Sequence, residues 1–202
     1  RAISHDLRTP LTSISGNASN LLSNYDKLDE ETRLQVFTDI FDDSQWLISL
    51  VENLLSVTRI EEGRMNFNMS VQLMDEVIDE ALKHINRKGV EHNITIECED
   101  GLLLARMDAK LIIQVIINLV DNAIKYTPIG SDIKITSENK NGYVSVSVTD
   151  NGNGIPDHMK PRIFEMFYTG DNKIADSRRS LGLGLALCKS IIHAHGGDII
   201  LT

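Results

Sequence analysis

A regular spacing of apolar residues over positions 30 to 60 constrains the fold of this chain more than any other feature of its sequence. Apolar or small residues recur alternately every three and every four positions, which is typical of one face of a long helix packed in a bundle. That face consists of Leu34, Phe37, Phe41, Ser44, Ile48, Val51, Leu55 and Thr58, and it is widened by Ile40, Leu47 and Leu54.

A second helical stripe precedes the first, and it consists of Ile3, Leu7, Leu11, Ile14, Ala18, Leu21 and Tyr25. Only residues 23 to 29 separate the two stripes, so the chain must reverse there and form a helical hairpin. One hairpin cannot cover both of its apolar flanks, whereas pairing with a second copy in a four-helix bundle would cover them. We therefore expect a homodimer through the helical hairpin.

The pattern of apolar residues changes near residue 64, where helical and alternating segments begin to follow one another. This change predicts an all-α hairpin over residues 1–64 and an α/β two-layer sandwich over residues 65–202. Asp108 is a good N-cap for a helix that runs to about Tyr126. The further expected helices cover residues 71–86 and 182–195, and the expected strands cover residues 93–98, 102–106, 133–137, 143–149 and 198–202.

Charge and cysteine content exclude several functional classes. The chain has 20 Lys and Arg against 29 Asp and Glu, a net charge of −9, which argues against a nucleic-acid partner. No apolar run approaches the ~20 residues of a membrane-spanning helix. The two cysteines, Cys98 and Cys188, are far apart, which excludes a disulfide scaffold and fits a reducing cytoplasm. Because the chain begins at Arg1 within a helical pattern, we expect it to be part of a longer protein.

His5 is a candidate nucleophile on the first helix. At about 100° per residue it lies about 160° from Leu7, so it faces away from the apolar stripe. Asp6 could accept the Nδ1 proton and leave Nε2 free to attack, while Pro10 should bend the helix at a cost of ~3 kcal/mol. The alternative interpretation is a solvated His-Asp pair beside a proline, and the spacing alone leaves it open.

The helix over residues 108–126 carries a polar face opposite its apolar one, and this face includes Asn118, Asn122, Lys125 and Tyr126. Asparagine is unfavourable inside helices, so two of them one turn apart suggest ligands. Amide oxygens suit Mg²⁺ and a lysine suits phosphate. A solvated face would more naturally use Glu and Lys.

Two glycine-containing segments could approach a ligand closely. Asp150 follows an expected strand and precedes Gly152 and Gly154, a pattern that also fits a hairpin turn or half of a calcium loop, although the acidic twelfth ligand is missing. Gly182 and Gly184 open a helix whose N-terminal amides could bind an anion. The second segment is neither a P-loop nor a dinucleotide-binding turn.

These residues fall in five motifs that resemble those of bacterial two-component sensor histidine kinases, in the family's order and over essentially the whole chain. The motifs are Ser4 to Leu11 (H box), Asn118 to Pro128 (N box), Asp150 to Ile155 (G1 box), Ile163 to Tyr168 (F box) and Leu181 to Leu187 (G2 box). The H box and residues 177–188 look most like the potassium-responsive Kdp-type kinases. Ser180 departs from the pattern, since the family usually has glycine there.

The resemblance implies a dimerisation and histidine-phosphotransfer domain followed by a C-terminally truncated ATP-binding domain of the GHKL (Bergerat) type, shared with gyrase and Hsp90. It implies that ATP phosphorylates His5, that Asp6 orients the imidazole and acts as general base, and that the phosphoryl group passes to an aspartate of a response-regulator receiver domain. Thr9 is the candidate for a phosphatase role. We expect a parent protein attached to the inner or plasma membrane upstream of this cytoplasmic portion.

The resemblance also implies the nucleotide contacts. Asn122 and Asn118 would hold Mg²⁺, Lys125 would neutralise phosphate, Tyr126 would border the nucleotide, and Asp150 would recognise the adenine amine beside Gly152 and Gly154. Gly182 and Gly184 would frame the triphosphate under a lid over residues 168–181 that contains Arg178 and Arg179.

Two other functions compete with this one. One is an ATPase or nucleotide-gated clamp without phosphohistidine, like the gyrase and Hsp90 relatives, which carry a water-activating glutamate where this chain has Asn118. Asn118 cannot act as that base, and the clamp leaves the His5 hairpin unexplained. The other is a non-catalytic dimeric scaffold, which the intact motifs argue against and which measurable ATP binding would exclude.

Overall fold

The computed structural model describes residues 2–85, 91–99, 101–168 and 182–202, and it describes side chains from residue 7 onward. The chain begins with the expected hairpin, in which helix α1 (Ala2–Asn24) contains Pro10 and helix α2 spans Glu30–Glu61. A short 3-10 helix, Tyr25–Lys27, lies in the reversal. Asp29 caps α2, because its carboxylate accepts a hydrogen bond from the Thr32 N–H at 2.7 Å.

The apolar stripe of α2 remains largely uncovered in the single chain. Its exposed members are Leu34, Phe37, Phe41, Ile48, Val51 and Leu55. A contiguous apolar surface of this kind is unusual on a monomer and marks a site of association.

The second part of the chain is an α/β unit with two small sheets. Strand β1 (Ser70–Leu73) pairs with β3 (Leu104–Met107) in antiparallel fashion. The remaining elements are α3 (Met74–Ile85), β2 (Asn93–Cys98), α4 (Ala109–Tyr126), β4 (Asp132–Lys140), β5 (Tyr143–Asp150) and α5 (Gly184–Ala194). The second sheet has the order β2-β4-β5, in which β2 is parallel and β5 antiparallel to the central strand β4.

The helices cover one face of the three-stranded sheet, which confirms the expected two-layer sandwich. Ile133 and Ile135 of β4 are fully buried, and the core continues through Ile78, Ile116, Val120, Leu187 and Ile191 of the helices. The opposite face is polar, and Lys134 pairs there with Glu97 at 2.7 Å. Val57 of α2 belongs to the same core cluster, so the end of the hairpin packs against the α/β unit. No described helix has both the length and the apolar character required to cross a membrane.

Two elements differ from the sequence prediction. The helix expected from residue 71 begins at Met74, because Val71 and Gln72 pair with Arg106 and Ala105 in the β1-β3 ladder. This tertiary pairing overrides the local pattern. The strand expected over residues 198–202 does not form, since these residues join no ladder with a described strand despite their consecutive apolar side chains, Ile199 to Leu201.

Candidate functional site

Helix α4 places its asparagines opposite the side that it buries in the core. Leu111, Ile112, Val115, Ile116, Val120 and Ala123 are buried, whereas Asn118 and Asn122 are half-buried and Lys125 and Tyr126 are exposed. Asp108 caps the helix as expected. The Lys125 ammonium lies over the Tyr126 ring, 5.4 Å from its centroid.

Asn118 contains a buried amide nitrogen, Nδ2, that makes no hydrogen bond of standard geometry, although the side chain is close enough to the Cys188 thiol to lower its pKa slightly against the larger effect of burial. An unsatisfied buried amide costs on the order of 1–3 kcal/mol. The same side chain borders the start of α5, since a Cβ atom at position 184 would lie 3.7 Å from Asn118 Oδ1. The arrangement leaves hydrogen-bonding capacity for a ligand between α4 and α5.

The turn after β5 holds Asp150 in a defined orientation. Its Oδ1 accepts a hydrogen bond from the Gly152 N–H at 2.9 Å. A Cβ atom at position 152 would lie 2.8 Å both from that oxygen and from Thr127 Cγ2, so any other residue would displace the Asp150 and Thr127 side chains. Thr127 in turn donates to the Ala123 carbonyl at 2.7 Å, which fixes this turn beside the end of α4.

The sequence analysis did not identify the residues that hold the turn after β5 in place by hydrogen bonds. The Asp132 N–H donates to Asn151 Oδ1 at 3.0 Å, and the Asp132 carboxylate accepts from the side-chain amides of Asn93 at 3.0 Å and Asn151 at 3.3 Å. These partners are 19 and 39 positions from Asp132, so no local spacing could have indicated them.

Gly182 lies against the end of the F box. Its φ of +63° is in the left-handed region, and a Cβ atom there would overlap the Tyr168 carbonyl and lie 2.6 Å from the Tyr168 nitrogen. The Phe167 N–H donates to the Gly182 carbonyl at 3.1 Å. Helix α5 therefore begins at Gly184 rather than Gly182, and it has no side-chain cap on its first N–H groups.

One open cleft brings most of the candidate residues together. It is lined by Thr9, Asn118, Asn122, Lys125, Tyr126, Asp150, Gly152, Gly154, Gly182 and Gly184. Thr9 is exposed on α1. His5 and Asp6 lie one turn earlier on the same helix, and their side chains, like Arg178 and Arg179, lie outside the described part of the structure.

The thiol of Cys188 also lies close to the cleft, and its surroundings make it unreactive. It is fully buried between α4 and α5, where Sγ contacts the Val115 carbonyl at 3.8 Å. Burial raises the pKa of the thiol to about 12. Within the described residues, no group of three or more His, Cys, Asp or Glu side chains is arranged to hold a metal ion.

The fold and the cleft define an α/β ATPase domain preceded by a phosphoacceptor hairpin. Residues 107–202 match the family "Histidine kinase-, DNA gyrase B-, and HSP90-like ATPase", and residues 1–63 match the "His Kinase A (phospho-acceptor) domain". The sensor protein KdpD of Clostridium acetobutylicum is 45% identical over 199 residues, and KdpD of Escherichia coli is 33% identical over 205. Each alignment covers 98% of this chain and 22% of the relative.

Solved structures show the same architecture. The Acinetobacter baumannii histidine kinase AdeS superposes with a TM-score of 0.75 at 26% identity, covering 94% of this chain and 86% of that one. Histidine kinase ThkA in complex with response regulator protein TrrA gives 0.67 at 30% identity, covering 97% and 54%. The catalytic domain of ThkA gives 0.55 at 34% identity, covering 64% and 82%. The chain belongs to the sensor histidine kinase family.

Proposed function

We propose that this chain transfers the γ-phosphoryl group of ATP to His5 and then to an aspartate of a response-regulator receiver domain. The observation that carries the proposal is the open cleft lined by Asn118, Asn122 and Asp150, which continues as far as Thr9 of the H-box helix. Family membership supports the assignment of the donor and acceptor. The chain spans about a fifth of the length of its KdpD relatives, so the activity of the whole protein is part of this proposal.

The proposed adenine end of the cleft lies at Asp150. The Gly152 N–H orients the carboxylate of Asp150 at the strand end, where it can accept a hydrogen bond from the exocyclic amine of adenine. Gly152 and Gly154 let the base approach the backbone, and Tyr126 borders the nucleotide.

The proposed phosphate end lies between α4 and α5. The amide oxygens of Asn122 and Asn118 suit Mg²⁺. When bound, Mg²⁺ would offset the charge of the phosphate oxygens. Lys125 supplies a positive charge, and Gly182 and Gly184 are half-buried at the cleft where α5 begins. Arg178 and Arg179 are proposed as further phosphate contacts from the family resemblance alone.

In the proposed reaction, His5 Nε2 attacks the γ-phosphorus in line. The N–P bond forms while the bond to the bridging oxygen of ADP breaks, and the Nδ1 proton is held by Asp6. The protein contributes mainly positioning and charge stabilisation. Thr9, one turn further on, is proposed to orient the water that hydrolyses the phospho-aspartate of the regulator.

We further propose the assembly and cellular setting. The uncovered stripe of α2 supports a homodimer through the hairpin, and the complex of ThkA with TrrA supports a response-regulator partner. The KdpD relatives support a Kdp-type kinase whose parent protein is membrane-attached upstream of this cytoplasmic portion. We place the domain boundary near residue 64, since α2 ends at Glu61 and Gly63 adopts a φ of +65°.

A phosphoprotein assay separates this function from an ATPase clamp. With Mg-ATP, the parent should accumulate a protein-bound phosphoryl group that an added receiver domain removes, and Asn122→Ala should accumulate none. Steady release of inorganic phosphate without any phosphoprotein would instead indicate the clamp, although Asn118 provides no carboxylate to activate water.

A further inference from the structure

His195, at the end of α5, joins three parts of the α/β unit. Its Nε2 accepts a hydrogen bond from the Asp108 backbone N–H at 3.0 Å, and its Nδ1 lies 2.7 Å from the Ile191 carbonyl. Because Nε2 accepts from Asp108, the nitrogen that donates to the Ile191 carbonyl is Nδ1. The ring therefore ties the end of α5 to the start of α4.

Residues 65–69, which join the hairpin to the strands and helices of the α/β unit, pack against His195 and Asp108. The Phe67 ring meets the His195 ring edge to face, with centroids 5.5 Å apart. The Asn68 N–H donates to Asp108 Oδ2 at 2.9 Å, and the other Asp108 oxygen accepts from the Leu111 N–H. Asp108 is 8% exposed, so these bonds form in a largely dry environment. We call residues 65–69 the connecting segment.

Helix α5 extends from this contact, at one margin of the open cleft, to the part of the cleft around Asn118. It spans Gly184–Ala194, on the order of 16 Å at the usual helical rise. Its buried side chains pack against α4 and also against α2 of the hairpin, and Gly184 at its other end borders Asn118. A tightly packed helix shifts as a unit, so a displacement at His195 reaches Gly184.

We infer that His195 is a positioning residue that couples the connecting segment to the nucleotide cleft. Movement of the hairpin alters the docking of Phe67 and Asn68, and His195 passes this change along α5 to the cleft. By reciprocity, nucleotide binding tightens the connecting segment. The inference rests on the proposed function, because it requires that the cleft bind a nucleotide.

Two substitutions separate the roles of the ring nitrogens. Asparagine places its amide near the Nδ1 position, so His195→Asn keeps a donor to Ile191 and loses the acceptor for Asp108. Glutamine reaches the Nε2 position, so His195→Gln keeps that acceptor. His193→Asn is the matched control, since His193 lies on the same helix and its Nε2 lies 3.2 Å from the carboxylate of Asp198, at the exposed surface.

The experiment measures Mg-ADP affinity and amide hydrogen exchange in the parent and the three variants. We expect His195→Asn to weaken Mg-ADP binding by about 5- to 10-fold, with His195→Gln and His193→Asn within about 2-fold of the parent. In the parent, Mg-ADP should slow exchange of the Asn68 and Asp108 amides by about 3-fold or more, and His195→Asn should remove this protection.

Several outcomes would overturn the inference. Equal Mg-ADP affinity in His195→Asn and the parent would refute it. So would a His195→Asn variant in which Mg-ADP still slows exchange of the Asn68 amide as in the parent. If His195→Asn does not fold, Phe67→Leu keeps the apolar contact and removes the ring edge, and an affinity and protection pattern identical to the parent would then refute the coupling. A parent that binds no Mg-ADP would refute the proposed function itself, which is a separate result.

Discussion

Two glycines that open the G2 box should respond in opposite ways to alanine. At Gly182 the backbone has a φ of +63°, and an added Cβ would overlap the backbone of Tyr168. At Gly184 the φ is helical, and the nearest atom to an added Cβ is Asn118 Oδ1 at 3.7 Å, an ordinary contact distance. Because the two positions are only two residues apart, they form a matched pair for comparison.

The expected magnitudes follow from this geometry. An alanine in the left-handed region costs about 1–2 kcal/mol, and overlap with backbone atoms that cannot rotate away adds about 1–3 kcal/mol. Gly182→Ala should therefore destabilise the fold by about 2–5 kcal/mol, and at ~2–4 °C per kcal/mol the Tm should fall by about 4–20 °C. Gly184→Ala should be neutral or stabilise by up to about 1 kcal/mol, since alanine favours the helix.

Thermal unfolding of both variants without nucleotide, followed by circular dichroism, tests this difference. Gly182→Ala should melt well below the parent and should also bind Mg-ADP more weakly, because the Phe167–Gly182 hydrogen bond is displaced. Equal Tm values for the two variants would show that the contact between positions 168 and 182 does not constrain the protein.

Three further predictions concern other residues. Asn122→Ala should lose Mg-ADP binding, measured by calorimetry, while its Tm stays nearly unchanged. The core control Ile116→Ala should lose about 2–5 kcal/mol of stability, and a similar loss of Tm in both variants would show that Asn122 has a structural role. Thr9→Ala should keep the autophosphorylation rate within a few fold of the parent, while the rate of regulator dephosphorylation falls by ~10- to 100-fold, or ~1.4–2.8 kcal/mol. A parallel fall of both rates would remove Thr9 from the site. Burial raises the pKa of the Cys188 thiol to about 12, so Cys188 should resist iodoacetamide at pH 8 in the native protein and react only after unfolding. Rapid labelling of the native protein would contradict the burial of this thiol.

The elements with strong local signals were predictable from the sequence. The hairpin, the cap at Asp108 and the β4-β5 pair follow from periodicity and from capping chemistry, and these depend on neighbouring residues. Strand β1 was not predictable, because Val71 becomes part of a strand only by pairing with Arg106, a contact between distant segments. The same limit explains the missing strand at residues 198–202, since a short apolar run does not supply a partner strand.

The candidate site shows a similar division. The polar face of α4 and the glycines of both loops were recognisable from residue type and spacing, and the structure brings them to one cleft. The supports of that cleft were not recognisable. Asp132 bonds to partners 19 and 39 positions away and His195 accepts from Asp108, 87 positions away, and such hydrogen bonds leave no local pattern in the sequence.

The measurement that tests the central claim most directly is the location of the phosphoryl group after incubation with Mg-ATP. Digestion and mass spectrometry under neutral conditions should find it on His5 alone, and the modification should be lost in acid and kept in base. His5→Gln should remain unmodified while binding Mg-ADP as the parent does. Labelling of His5→Gln to the level of the parent, or an acid-stable modification, would contradict the account.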